Sequence, residues 1–348
     1  MQILYGSEPS FYTRKAWASM RLLGLEVDDR LKSFAVKAEV EAAVDGYHRF
    51  PVVQTDAGDW LTDSTRIGLE LSRRHPARSL VPDDPALAAV MRITEDWFDE
   101  WMVRYVLAWR PLDPETRAWV ARVGALNLFG LRAGAEPPAE LADRLERTAA
   151  GVERFFVSAG AANGVSPETV GSVRAGLDSI LAALEAALSR SPFLLGGRPS
   201  LADAALWGHL DAGLLWEPAA RAHVGPRAPA LRAFHARLAA LADSGGEPLG
   251  TWEPLEAVAE RLAPLLGGQA QGFVPFLVAN ARALADGSGT VLLDGAPAPA
   301  RGFTDQSRRA VADVIRALPP AARARFDAAC GGWPLIDTIL DTETEPQP

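Results

Sequence analysis

The stretch His48-Arg49-Phe50-Pro51-Val52-Val53, followed about ten residues later by Leu61-Thr62-Asp63-Ser64, decides how this chain folds. A proline between apolar residues is a poor central-strand residue, because it cannot donate to the ladder. It suits a place where the chain enters a strand from a fixed turn, and such a proline can be cis. A cis bond there turns the backbone of Phe50 outward and leaves its N–H and C=O to pair with an extended peptide. Asp63-Ser64 stands where a short strand ends and an amphipathic helix, Ser64–Arg74, begins. Either residue can cap that helix, and the free N–H groups at a helix start attract a carboxylate. Two backbone-presenting features so close together read as a site for a small peptide with a free carboxylate.

The flanking sequence supplies the rest of a small mixed sheet. Gln2–Tyr5 starts a strand. Phe11–Leu23 has Trp17, Met20 and Leu23 at helical spacing and stops at Gly24. Glu26–Leu31 reads as a second strand, and Val52–Thr55 with Asp59–Thr62 as a hairpin around Ala57-Gly58. The order βαβ-ββα over residues 1–80 predicts an α/β domain with helices packed on the sheet. Val81-Pro82-Asp83-Asp84-Pro85 is a proline-rich linker. Beyond it, residues 86–244 read as an all-α domain, with helices over Ala86–Leu107, Glu140–Ala159, Ser166–Ser189, Ser200–Trp216 and Ala228–Ala242. Residues 245–348 read as a small α+β extension. It has a helix (Gly272–Asp286), a hairpin (Thr290–Leu293 and Ala300–Phe303, around Asp294-Gly295), a helix (Thr304–Leu318) and a disordered tail from Asp341.

Composition narrows the function. Hydrophobic residues make up 48% and charged residues 23%, an ordinary globular balance. A net charge of −9 with five scattered histidines argues against a nucleic-acid surface, which needs a basic stripe. The single cysteine, Cys330, excludes an intrachain disulfide framework and a cysteine-based zinc site. A reducing, cytoplasmic setting is expected. No signal peptide and no membrane-spanning run are evident, so no membrane partner is expected. Ten tryptophans imply large buried contacts or an aromatic-lined pocket.

Four motifs in order carry a family resemblance. Leu4-Tyr5-Gly6-Ser7 leads into Ser10-Phe11-Tyr12-Thr13-Arg14-Lys15. Phe50-Pro51 follows, then Leu61-Thr62-Asp63-Ser64-Thr65-Arg66-Ile67, then Phe193-Leu194-Leu195-Gly196-Gly197-Arg198-Pro199-Ser200-Leu201-Ala202-Asp203. With a thioredoxin-like first domain, a linker and a helical second domain, the chain resembles the soluble glutathione S-transferase family, with a serine-type active-site loop, across residues 1–241. The last hundred or so residues lie outside that pattern. In the fourth motif Ser200 and Asp203 also make sense unaided, as the N-cap and third residue of one helix start.

The resemblance implies glutathione as co-substrate, no metal, a small apolar electrophile as second substrate, and a homodimer. Chemistry then requires a thiolate. A free thiol near pKa 8.5 is only a few per cent ionised at neutral pH. A hydroxyl donating to sulfur, or the positive end of a helix, can lower that pKa. Ser10, at the start of the first helix, is the leading candidate; Ser7, Tyr5 and Tyr12 are rivals. Arg14 and Lys15 follow on the same helix and can raise the local positive potential, although at least one is expected to be solvated. Phe50, held by Pro51, is expected to pair with the cysteinyl part of the tripeptide. Ser64 and Asp63 are expected to hold the γ-glutamyl carboxylate and ammonium, and Arg49 or His48 the glycyl carboxylate. Trp97 and Trp101 (at i, i+4), with Arg104 and Tyr105 a turn beyond and Tyr12 on the first helix, are candidates to line an electrophile pocket; core or dimer packing is an equally good use of the tryptophans. Glu95, Asp96, Asp99 and Glu100 are expected to form a solvated acidic face. Three function classes stay open: a transferase, a non-catalytic binding or assembly protein on the same fold, and a glutathione-dependent isomerase or dehalogenase.

Overall fold

The computed structural model describes residues 1–245, 250–268 and 270–341. In chain order it contains β1 (Gln2–Gly6), α1 (Phe11–Leu22), β2 (Val27–Leu31), α2 (Lys37–Ala42), β3 (Val52–Gln54), β4 (Trp60–Thr62), α3 (Ser64–Arg74), α4 (Pro85–Trp97), α5 (Val103–Val106), α6 (Pro114–Leu128), α7 (Ala142–Ala162), α8 (Val170–Arg190), α9 (Leu201–His209), α10 (Pro218–Val224), α11 (Pro229–Asp243), α12 (Leu255–Leu266), α13 (Phe273–Ala285), β5 (Thr290–Leu293), β6 (Ala296–Pro299), α14 (Gly302–Arg316), α15 (Pro320–Cys330) and α16 (Pro334–Leu340). Two compact units emerge. The first comprises Met1–Leu80, Trp109–Ala159 and Asp203–Leu249; the second comprises Val81–Ala108, Gly160–Ala202 and Gly250–Pro348.

In the first unit the sheet order is β2-β1-β3-β4. β1 runs parallel to β2 and antiparallel to β3, and β3 is antiparallel to β4. Strand alternation sends Leu4 and Val53 to one face, where both are fully buried. Ile67 and Leu71 of α3, with Ala16 and Met20 of α1, are fully buried too, and α1 packs on α3 and on β1. Tyr5 and Val52 point to the other face and form a cluster with Val40 of α2, flanked by Ile3, Val36 and Trp60. The sequence reading has no α2. The helix is six residues long, buries one side chain and has no side-chain cap, so its periodic signal is too short to register.

In the second unit α4 continues through a π-helical turn, Phe98–Met102, into α5. The single helix expected over Ala86–Leu107 therefore changes its hydrogen-bond register midway. α4 packs against α12, α14 and α15, and α13 packs against α14, α16 and β5. This burial overturns one expectation. Glu95, Asp96, Asp99 and Glu100 are not a solvated face; they are 1%, 3%, 7% and 7% exposed. Arg92 pairs with Glu95, the Ser307 hydroxyl donates to Asp96, and Thr304 Oγ1 donates to Glu100 Oε2 at 2.5 Å. The last two partners belong to α14, so the carboxylates are hidden by a helix some two hundred residues away in sequence.

The hairpin of the last hundred residues is also shorter than expected. Asp294-Gly295, with φ of 50° and 82°, makes a two-residue turn, and β6 is Ala296–Pro299 rather than Ala300–Phe303. Its Ala-Pro-Ala-Pro sequence hid it. Alternate residues turn their N–H groups the same way, so Pro297 and Pro299 remove donors from one edge only, and a two-stranded ribbon tolerates that. Residues 300–303 instead lead into α14. Helices α6, α10, α12, α15 and α16 stand where the sequence reading expects no helix. The tail from Asp341 lies, apart from Asp341 itself, outside the described residues. Among the described residues no single helix is long and apolar enough to cross a membrane.

Candidate functional site

The sheet register gathers the expected site residues at one end of the first unit. Tyr5 pairs with Val52 and Val52 with Thr62, so Gly6, Pro51 and Asp63 follow on the same side of the sheet. The Phe50–Pro51 bond is cis. The described residues offer the backbone N–H and C=O of Phe50 no hydrogen-bond partner. α1 and α3 both begin at this end, so two helix N-termini converge there.

Ser10 is the N-cap of α1, and its Oγ accepts from the Thr13 N–H at 3.2 Å. A hydroxyl that accepts in this way keeps its own proton for a second partner. The rivals are placed differently. Tyr5 is buried and stacked on Trp60, with ring centroids 5.9 Å apart. Ser7 Oγ donates to Asn127 Oδ1 at 3.0 Å. The ring of Tyr12 lies edge-on to His209 at 6.4 Å. Neither basic residue of α1 is merely solvated, contrary to expectation. Arg14 Nε donates to Asp211 Oδ2 at 2.6 Å and its guanidinium lies over Trp17, while Lys15 is buried and donates to Thr65 Oγ1 at 2.9 Å. That last bond ties α1 to the start of α3. Asp211 also meets His235 Nε2 at 3.0 Å; burial works to raise its pKa, but His235 and Arg14 outweigh it and hold the carboxyl below the usual range.

The loop between β1 and α1 is clamped by a residue the sequence reading missed. Asn127, 3% exposed near the end of α6, accepts from Ser7 Oγ and from the Glu8 N–H at 2.7 Å, and donates to Glu8 Oε2 at 2.7 Å and Leu131 O at 3.1 Å. All the hydrogen-bonding capacity of its amide protons is used. Gly6 is required by close approach: a Cβ there would sit 2.2 Å from Thr13 Cγ2.

Asp63 caps α3 by accepting from the Arg66 N–H at 3.0 Å. Its φ of 70° is positive in a non-glycine residue, which costs on the order of 1–3 kcal/mol and is typical of residues held for function. Ser64 is buried at the first helical position. Burial raises the pKa of the Tyr47 phenol, and the Asp63 carboxylate adds to the effect. His48 and Arg49 are exposed beside Phe50. Behind them lies a second missed residue, Lys32. It is 2% exposed, donates to Tyr47 O at 3.0 Å and Arg49 O at 3.2 Å, and pairs with Glu41 at 3.2 Å. Burial lowers its pKa, opposed by Glu41. Both missed residues are single polar side chains, Asn127 near the end of α6 and Lys32 just after β2, and what marks them is burial, which the sequence does not display.

The aromatic candidates of the linker helix belong to the second unit. Trp97 Nε1 donates to Ala270 O at 3.1 Å, Trp101 Nε1 to Gln271 O at 3.0 Å, and Tyr105 OH to Gln271 O at 2.9 Å. Their polar groups therefore face the turn before α13. Trp97 is fully buried, whereas Trp101 and Tyr105 line a cavity. Burial pushes the Tyr105 phenol up to about 12.

Comparison with known families decides the identity. The family model for the glutathione S-transferase N-terminal domain matches residues 4–79, and that for the C-terminal domain matches residues 139–237. The chain belongs to the glutathione S-transferase family. Solved structures to which the chain is similar include the β-etherase LigF of Sphingobium sp. strain SYK-6 (21% identity, 69% of this chain and 95% of that one, TM-score 0.46). Others are a glutathione S-transferase from Rhodospirillum rubrum F11 (19%, 73% and 94%, 0.44) and one from Methylobacillus flagellatus KT with glutathione bound (19%, 68% and 94%, 0.39). No curated protein matches. Cys330, the one cysteine, is fully buried and its thiol is pushed up to about 12, which suits a packing role in this family member. Among the described residues no cluster of three or more His, Cys, Asp or Glu side chains is arranged to hold a metal ion.

Proposed function

We propose that this protein binds glutathione at the α1–α3 end of its sheet and activates the thiol for attack on a small apolar electrophile. One observation carries the reading: the register that lines up Gly6, Pro51 and Asp63 also brings a cis peptide, an unpartnered Phe50 backbone and two capped helix starts to one end of the sheet. Phe50 pairs with the cysteinyl backbone, Asp63 and Ser64 hold the γ-glutamyl end, and Arg49 with His48 meets the glycyl carboxylate. Ser10 donates its proton to the sulfur while the N-terminus of α1 stabilises the anion. Lowering the thiol pKa by about two units corresponds to about 2.7 kcal/mol of preference for the thiolate. Under this reading the protein acts as a cytoplasmic homodimer.

Ser10→Ala tests the mechanism. With an activated aryl halide as electrophile, turnover falls about 100-fold, the pH–rate profile moves to higher pH, and the glutathione Kd changes by less than about threefold. Unchanged turnover removes Ser10 from the mechanism. Wild-type protein that binds glutathione and turns over no electrophile establishes the non-catalytic alternative instead.

A further inference from the structure

The second unit contains a cavity of about 400 Å³ that the glutathione reading does not use. That volume is within the range of small-molecule sites. Its floor is one face of the linker helix, Trp101, Arg104 and Tyr105. Its walls come from α8, from the start of α13 and from the β5–β6 turn. Two glycines keep it open. A Cβ on Gly176 would lie 3.0 Å from Tyr105 Cε1, and one on Gly272, where φ is +92°, would lie 3.3 Å from Trp101 Cζ2. The approach to α13 is itself unusual, since Ala270, Gln271 and Gly272 all have positive φ (47°, 56° and 92°) and are held by the three donors from Trp97, Trp101 and Tyr105. Consecutive left-handed residues of this kind gather at ligand clamps.

The charge in the cavity is a guanidinium. Arg104 is 3% exposed and lies over the Trp101 ring at 4.7 Å. Its Nε–H is buried with no hydrogen-bond partner among the described residues. Its ionic partner is Asp294, at 2.5 Å, on the tip of the exposed hairpin turn. Arginine cannot shed its charge, so this buried cation needs an anion at all times. The partner it has sits on a two-stranded ribbon, a structure marginal by itself. A ligand carboxylate can replace Asp294 charge for charge and engage the Nε–H as a two-pronged partner, which a single aspartate oxygen does not. The rest of the lining includes the aromatic and aliphatic side chains of Trp101, Tyr105, Phe276, Val173 and Leu293, with Trp101 stacked on Phe276 at 5.2 Å, and it suits the apolar body of such a ligand.

We propose that this cavity is a binding site for a small aromatic carboxylate, with Arg104 as its anion receptor and Asp294 as the group it displaces. The proposal does not rest on the glutathione site, which is blocked in the test by excess S-methylglutathione. Titration calorimetry of the full chain with 1-naphthoate and with neutral 1-naphthamide should show the carboxylate binding about tenfold tighter. Asp294→Asn should tighten naphthoate further and leave the amide unchanged, a gain that a merely structural role for Asp294 does not produce. Ser172→Trp, on the exposed rim of α8, should abolish binding of both while circular dichroism and melting stay as in the wild type. Equal affinity for the two probes, no binding of either, weaker naphthoate binding in Asp294→Asn, or undiminished binding in folded Ser172→Trp each overturns it.

Discussion

The buried charges of the first unit sit in ones and twos. Lys15 reaches a hydroxyl, Lys32 reaches two backbone carbonyls and Glu41, and Arg110 pairs with Glu217 while lying over Phe11 at 4.4 Å. In the second unit four buried carboxylates crowd along two turns of one helix, answered by Arg92 and by two hydroxyls of α14. The first arrangement secures backbone: a lysine under the Tyr47–Phe50 segment ties down the Tyr47 and Arg49 carbonyls. The second sets carboxyl groups close together, so that the protonation of Asp96 and the packing of α14, whose Ser307 bonds it, depend on each other. A buried charge with an opposite partner is a fastener, whereas carboxyls buried side by side push one of them, Asp96, toward its neutral form.

The contrast can be broken at its strongest point first. Arg110→Met leaves Glu217, fully buried, with a carboxylate that burial already pushes toward the neutral form and that Arg110 alone opposes. Stability should fall by about 3–5 kcal/mol, read from the urea midpoint. In the second unit removal of a charge should act the other way. Burial, then the nearby charge of Glu100, pushes Asp96 up to about 8, with Glu95 adding and Ser307 and Arg92 opposing. Its folded pKa lies above its unfolded value, so the folded state holds the extra proton between about pH 4 and pH 8. Stability therefore declines as pH rises through that window. Asp96→Asn, which keeps an acceptor for Ser307, should flatten the decline. The gain should be on the order of 2 kcal/mol at pH 8 and nil at pH 4, measured as melting temperature against pH. A variant with the wild-type pH profile would show that Asp96 is ionised in the fold. The smallest of the three effects is functional. Lys32→Met unties the Tyr47 and Arg49 carbonyls and should weaken glutathione binding about tenfold, or about 1.4 kcal/mol, with kcat little changed at saturation. Unaltered affinity would reduce Lys32 to a packing residue.

Sequence patterns were legible where the cause was local. α3 begins at Ser64 and ends at Arg74 as read, because an Asp-Ser cap and a His-Pro stop act within a few residues of the backbone they control. The hairpin β3–β4 and the placing of Ser10 at a helix start follow in the same way. The buried acidic face was misread because hydrophobic periodicity marks which residues are apolar, not which polar ones a distant helix will cover. Asn127 was invisible because its partners, Ser7 and Glu8, lie about 120 residues away. β6 was misplaced because proline disfavours strands except at an edge, and edge position is a property of the sheet.

Local sequence by itself determined the strands and two longer helices of the thioredoxin-like first 80 residues, their helix caps, and the turn at Phe50-Pro51, since each rests on backbone preferences of a few neighbouring residues. Only the tertiary structure decided that Trp101, Arg104 and Tyr105 face the last part of the chain, that Glu95 to Glu100 are buried, and that Asn127 and Lys32 hold the loops of the candidate site. Those outcomes are set by long-range burial, in which a polar group finds its partner wherever packing has removed water.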